Sequence, residues 1–410
     1  MRRYIMSHFR EPMDIASSSL GEKHAVYGGG PNLKLGLNNV ISKYKPRMIG
    51  IATTCLTETI GDDVRMIVQE FHKEFLDLGA SDVRPELVSV STPSYSGTHM
   101  EGFHAAVRAV VDQLATADAV GADVCLMPGF VSPEDTRYLQ EVLEDFGLKA
   151  TILPDLSLSL DGPALAEYEK LPSGGTPVSR IRDLGSCETA VEFGRTIFGA
   201  PTAGRLLAEK FGVPLRSLGA PIGLRETDAF FHTLEELSGR PTPRGHALDR
   251  GRLIDAYVDG HKYLFNKRAI VYGEEDLVVG LTAFLAEIGV TPVLCASGGR
   301  SGRLAHAVEE VCDDLLMEPP IVRDGVDFYE IAEQSEGLEP DLLIGNSKGY
   351  HLARRWNVPL IRVGFPIHDR FGGHRTLHVG YRGAQSLLDR IINAIMESKQ
   401  ERSPIGYSYI

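Results

Sequence analysis

Short apolar runs alternate along the whole chain with amphipathic stretches of helical period, and this rhythm constrains the fold more than any other feature. Ten runs of three to five residues read as strands, at 48–52, 87–90, 124–127, 151–153, 215–218, 269–272, 291–295, 321–323, 342–344 and 360–363. They are mostly apolar and rich in Val, Ile and Leu, as expected of strands buried on both faces of a parallel sheet. Helical periodicity marks 62–76, 105–115, 133–146, 202–211, 276–288 and 352–356. Strands and helices in this order imply parallel sheets joined by right-handed crossovers. Ten such strands exceed one compact unit. The expected fold class is therefore α/β, with three Rossmann-like domains whose mainly parallel sheets are flanked by helices. The expected domains are 1–118, 119–247 and 248–410, with soft boundaries near 118–122 and 239–248, the latter rich in Gly and Pro. A long connecting helix is expected at 249–264, a closing helix at 383–399 and an extended tail at 403–408. Residues 4–9 read as the second half of a helix that Arg10-Glu11-Pro12 ends.

With 410 residues, 43% hydrophobic and 24% charged, the chain has the composition of a soluble globular protein. A net charge of -13 argues against a nucleic-acid groove or an anionic membrane as partner. No apolar run approaches the ~20 residues of a spanning helix, and no signal-peptide pattern opens the sequence, so a cytoplasmic location is expected. Five cysteines stand singly, at Cys55, Cys125, Cys187, Cys295 and Cys312, with no C-x-x-C pair. That pattern excludes a disulfide framework and gives no zinc-ligand spacing. Cys125, Cys295 and Cys312 fall inside apolar patterns and read as buried, inert thiols. Cys187 sits in a less regular stretch, and its role stays open.

Cys55 differs. It follows the 48–52 strand, in Thr53-Thr54-Cys55-Leu56-Thr57-Glu58. Ligands in open α/β sheets gather outside the carboxyl ends of strands, and a thiol delivered there on a turn can ligate a metal or attack an electrophile. Ser94, in Thr92-Pro93-Ser94-Tyr95, follows the next strand and can reach the same place; a plain Ser/Thr-rich turn accounts for it equally well. Gly28-Gly29-Gly30 precedes a helical run, but it matches neither a phosphate loop nor a dinucleotide fingerprint. A tight turn or close packing explains it better than an anion site. Asp255 and Asp259 share one face of the expected long helix. They suit either a hard cation or ion pairing with Arg252, Lys262 or Lys267. The polar stretches Asn346-Ser347-Lys348-Gly349 and 364–370 follow strands and can line a cleft or simply end the strands.

Taken together, these residues resemble the β-type subunit of nitrogenase component 1 and its nitrogenase-like relatives over essentially the whole chain. The resemblance is carried by His8-Phe9-Arg10-Glu11-Pro12, Ala25-Val26-Tyr27-Gly28-Gly29, Thr53-Thr54-Cys55-Leu56-Thr57-Glu58-Thr59-Ile60-Gly61-Asp62-Asp63 and Thr92-Pro93-Ser94. It continues through Gly251-Arg252-Leu253-Ile254-Asp255, Leu343-Ile344-Gly345-Asn346-Ser347 and Pro359-Leu360-Ile361-Arg362-Val363-Gly364-Phe365-Pro366-Ile367.

The resemblance implies an oxidoreductase subunit in an α2β2 heterotetramer with a homologous α-type subunit. Such a subunit relays electrons from an ATP-dependent iron protein, through an interface iron–sulfur cluster, to the active site of the α-type subunit. It implies that Cys55 ligates a P-cluster of the [8Fe-7S] type and that Ser94 approaches the same cluster when oxidised. Tyr27 would lie near the docking surface for the iron protein. Glu11, Asp255 and Asp259 would belong to a divalent-cation site between β-type subunits. The pattern also includes two further cluster cysteines N-terminal to the first helix. Neither is in this sequence, so the natural product is expected to start upstream of Met1. One thiolate cannot hold a multi-iron cluster alone, which independently predicts a partner with its own cysteines. The alternatives are a β-type subunit of the iron–molybdenum cofactor assembly scaffold and a metal-free α/β binding protein. Cys55 favours the catalytic complex over the scaffold.

Overall fold

The computed structural model describes residues 2–11, 15–77, 85–118 and 122–405. The expected linker at 118–122 and tail at 403–408 therefore lie partly outside the described residues. The chain adopts the expected α/β class, and every strand pair is parallel. Strands β1 (Met48–Ala52) and β2 (Glu86–Val90) form a two-stranded sheet. Next come β3 (Val124–Met127), β4 (Ala150–Ile152), β5 (Thr189–Phe193) and β6 (Leu215–Leu218), in spatial order β4-β3-β5-β6. The last sheet holds β7 (Arg268–Gly273), β8 (Thr291–Ser297), β9 (Ile321–Arg323), β10 (Leu342–Gly345) and β11 (Leu360–Arg362), in order β11-β10-β7-β8-β9.

Strand β5 was not among the expected strands. Thr189 and Glu192 break its apolar run, yet all five of its residues are buried at the centre of their sheet. The Glu192 carboxyl is accommodated because Ser217 Oγ donates to it at 3.0 Å. The long helix also departs from expectation. It spans Arg244–Leu264 and so begins inside the stretch expected to be loop. Pro243 stands at its N-cap, where the missing amide costs nothing. The helix crosses the closing helix, Gly380–Arg402, at Gly260, where an added Cβ would come within 2.7 Å of Ile392 Cδ1. A larger residue there would have to displace the end of the Ile392 side chain.

One apolar core runs through the second and third sheets, from Leu126 and Phe193 to Val271, Phe284 and Leu387. Each fully buried Leu or Phe there contributes about 1.5–3 kcal/mol, so these two units hold each other firmly. The first sheet rests on one face on a much smaller cluster of Leu37, Ile41, Val68, Phe71 and Leu87. On the other face, Val88 joins Val111, Leu114, Cys125 and Ala190 in a cluster shared with the second sheet. The N-terminal helix, Arg2–Phe9, leaves that unit and packs on the third, where Ile367 N–H donates to the buried His8 Nδ1 at 2.9 Å. Among the described residues no helix is long and apolar enough to cross a membrane.

Candidate functional site

Because β1 and β2 pair from Met48↔Glu86 to Ala52↔Val90, the loops leaving their C-terminal ends lie side by side. Thr53 N–H extends the ladder to Val90 O at 3.1 Å. Thr92 N–H then donates to Thr53 Oγ1 at 2.9 Å, and Thr92 Oγ1 donates to Thr53 O at 3.0 Å. Glu58 fastens the two loops together, one carboxylate oxygen accepting Thr53 Oγ1 and Ser91 Oγ at 2.5 Å each. Those two hydroxyls hold the Glu58 carboxyl below its ordinary range, so it stays an acceptor.

Cys55 sits on this frame, but not on a turn as expected. It is the first residue of a short helix, Cys55–Ile60, which Thr54 and Thr57 cap reciprocally and Gly61 ends in the left-handed conformation at φ 77°. The thiol is half-buried. Ser94 Oγ lies 2.6 Å from Cys55 Sγ, and Ser94 N–H donates to the sulfur at 3.3 Å. The serine hydroxyl first, then its amide, hold the thiol pKa below the ordinary value against a smaller opposing effect of burial. The pair therefore favours thiolate, the form that ligates metals. Leu56 and Tyr95 flank it as exposed apolar side chains.

The glycine triplet packs against this same loop. Gly29 N–H donates to both oxygens of Asp62, at 3.1 and 3.0 Å, and a Cβ on Gly29 would fall 2.8 Å from Asp62 Oδ2 and Leu20 Cδ2. Close packing is thus its role, and a side-chain carboxylate takes the amide that an anion would use. Tyr27, just before it, is 84% exposed. Glu58 and Asp62 were not singled out from the sequence as organisers of the site. Each is a carboxylate whose partners lie on another segment, and no local pattern reveals that.

Asp255 and Asp259 are exposed on the long helix, and Glu11 follows the N-terminal helix. Within one chain these residues build no metal centre: among the described residues no group of three or more His, Cys, Asp or Glu is arranged to hold a metal. The ion pairs offered as the alternative are not formed. Arg252 binds Asp249 at 2.7 Å, Lys267 binds Asp341 at 2.9 Å, and Lys262 Nζ lies over the Tyr263 ring at 4.8 Å.

The other four cysteines are buried, Cys187 included. The polar stretches after β10 and β11 bind each other: Arg362 holds Asp369 bidentately, and Ser347 Oγ donates to the same carboxylate. Lys348 Nζ reaches Tyr4 OH at 2.9 Å, so these loops clamp the N-terminal helix.

A family model described as nitrogenase component 1 type oxidoreductase matches residues 1–396. The nitrogenase molybdenum-iron protein beta chain of Clostridium pasteurianum is 32% identical over 397 residues, 97% of this chain and 85% of that protein. The nitrogenase vanadium-iron protein beta chain of Trichormus variabilis is 33% identical, over 98% of this chain and 88% of that one. A solved structure described as nitrogenase Cp1 at pH 6.5 superposes with a TM-score of 0.94 at 31% identity, covering 100% of this chain and 88% of that chain.

Proposed function

The chain belongs to the nitrogenase component 1 type oxidoreductases as a β-type subunit, and from that premise we propose that Cys55 ligates an iron–sulfur cluster shared with a homologous α-type subunit. The observation that carries this reading is the Cys55–Ser94 pair: a thiol disposed to ionise, with a second donor 2.6 Å away, at the end of two adjacent strands. Sulfur and oxygen donors of this kind suit iron, and one thiolate requires further ligands from outside the pair. The exposed Leu56 and Tyr95 beside it support burial of the site under a partner. A cluster of the P-cluster type held there supplies one-electron transfer.

This chain's residues position and tune. Glu58 fixes the two loops, the Ser94 hydroxyl and amide stabilise the thiolate, and the hydroxyl would stand as a second donor beside bound iron. The subunit then acts as a relay in an α2β2 complex, taking electrons from an ATP-dependent iron protein and passing them to the α-type active site in the cytoplasm. Tyr27 is a docking residue on this reading. Gly29, two residues on, is bonded to Asp62, two residues past the end of the Cys55 helix, so the docking face and the thiol share one support. Glu11, Asp255 and Asp259 contribute to a divalent-cation site between β-type subunits, a role supported by the exposed Asp255–Asp259 pair, to which Arg252, Lys262 and Lys267 form no ion pair. The working domains are 1–118, 119–247 and 248–410, with one sheet in each.

Iron and acid-labile sulfide analysis of the co-purified complex tests the assignment. Cys55→Ala is expected to lose the cluster's absorption and its electron paramagnetic resonance signal while the two subunits still assemble. An unchanged spectrum would rule out Cys55 as a ligand.

A further inference from the structure

Where the three units meet, an open cleft of about 730 Å3 narrows to an inner chamber of about 70 Å3. Met100, His104, Glu274 and Asp276 line both, so the chamber is the floor of the cleft. Topology places it well. In the second sheet the connections diverge between β3 and β5, and in the third between β7 and β10. Such switch points leave a crevice beyond the strand ends. Phe130 follows β3, Phe193 ends β5 and Glu274 follows β7, so both crevices open into one chamber.

The wall chemistry is specific. Glu274 and Asp276 stand at the start of the helix Glu275–Glu287, where Glu274 accepts the Asp276 and Leu277 amides and Asp276 accepts the Thr196 amide. Desolvation raises the pKa of both, Glu274 to about 8, so a bound cation is what would hold the pair ionised at neutral pH. His378 is 6% exposed, and its Nδ1 lies 3.0 Å from the Asp135 carboxylate, which also accepts the His378 and Val379 amides. That fixes the ring and leaves Nε2, on the opposite edge, buried without a protein partner. Phe130, Phe193 and Phe365 supply the apolar wall, with the Phe130 and Phe365 rings edge-to-face at 5.5 Å. Carboxyls and an imidazole acceptor among aromatic rings suit a small cation that donates hydrogen bonds. A metal ion is a poor fit, since among the described residues no three potential ligands converge. An anion would meet the carboxyls.

We propose that this chamber binds the protonated amino group of a small amine whose body occupies the outer cleft. The inference goes beyond the cluster reading: neither Cys55 nor Ser94 lines the chamber. Equilibrium dialysis of the full chain, in the complex it purifies with, against radiolabelled methylamine at neutral pH tests it. The expected result is one saturable site per chain, not displaced by potassium or tetramethylammonium at matched ionic strength. Glu274→Gln removes a carboxyl, and Ala220→Leu grows a side chain into the chamber; each should weaken binding at least about tenfold. Ala220→Leu leaves the carboxyls intact and serves if Glu274→Gln does not fold. Non-saturable uptake, displacement by either competing cation, or unchanged affinity in a folded variant would overturn the proposal. Iron content measured on the same preparations keeps this outcome separate from that of the cluster reading.

Discussion

Ser94 governs the chemistry of Cys55 through two bonds, one from its hydroxyl and one from its amide, and the hydroxyl is the stronger lever. Removing it takes away the interaction that most favours the thiolate, while the amide remains. In Ser94→Ala the thiol pKa must therefore rise toward its ordinary value, and a smaller fraction is ionised at neutral pH. Alkylation of a cluster-free preparation by iodoacetamide, followed from pH 6 to pH 10, reads this directly. The expected outcome is a severalfold lower rate at pH 7.5 and a titration midpoint displaced to higher pH, with equal rates once both thiols are ionised. Coincident profiles would mean that the hydrogen bond does not control the sulfur. Because Ser94 is exposed, the substitution removes little packing, so a change in reactivity is not a disguised loss of fold.

At the scale of elements, what was legible in the sequence followed from period and strand ends. The run 124–127 becomes a strand with those bounds because apolar residues fill both faces, and 215–218 becomes one as a sheet edge with Leu215 and Leu218 partly buried and Arg216 and Ser217 exposed. The nearness of Cys55 and Ser94 was legible too, since adjacent parallel strands bring their following loops together. The rest depended on long-range contacts. Strand β5 was hidden because Glu192 looks like a surface residue until Ser217, on the neighbouring strand, is seen to bond it. The Cys55–Ile60 helix was hidden because two threonines in six residues are weak helix formers, and its stability comes from the reciprocal cap. The Asp255–Asp259 face was legible as a carboxylate pair one turn apart, but not as to whether cations would neutralise it. Arg252, Lys262 and Lys267 turn to other partners, which makes a metal prediction testable. A divalent cation is expected to strengthen association between the two halves of the α2β2 complex by at least about tenfold, and chelation to reverse it. Sedimentation with and without EDTA measures this. The Asp255→Asn, Asp259→Asn double variant should sediment alike in both conditions, and an EDTA response that persists would remove these residues from the site.

Across the whole molecule, stability is unevenly distributed, and the candidate site falls on the weaker part. The second and third sheets share one continuous core, whereas β1 and β2 form a two-stranded sheet with a small cluster of five buried side chains on one face and Val88 packed into a cluster shared with the second unit on the other. Two paired strands are marginal without added support; here it comes from the second unit, against which Val88, Val111 and Leu114 pack, and not from the N-terminal helix, which packs on the third unit through His8 and Ile367. Local opening free energies span a wide range within one protein, and the least supported unit opens first. The loops carrying Cys55 and Ser94 therefore depend on a partner for rigidity. Hydrogen exchange should separate the units clearly. In the isolated subunit, amides of Met48–Ala52 and Glu86–Val90 are expected to exchange at least about tenfold faster than those of Arg268–Gly273, which lies at the centre of the largest sheet. Adding the α-type subunit should slow the first set and leave the second nearly unchanged, because only the first lies under the proposed interface. Equal protection in the free subunit would show that the first unit stands without its partner. Partner-induced protection elsewhere would place the interface away from Cys55, and the shared-cluster reading would fall with it.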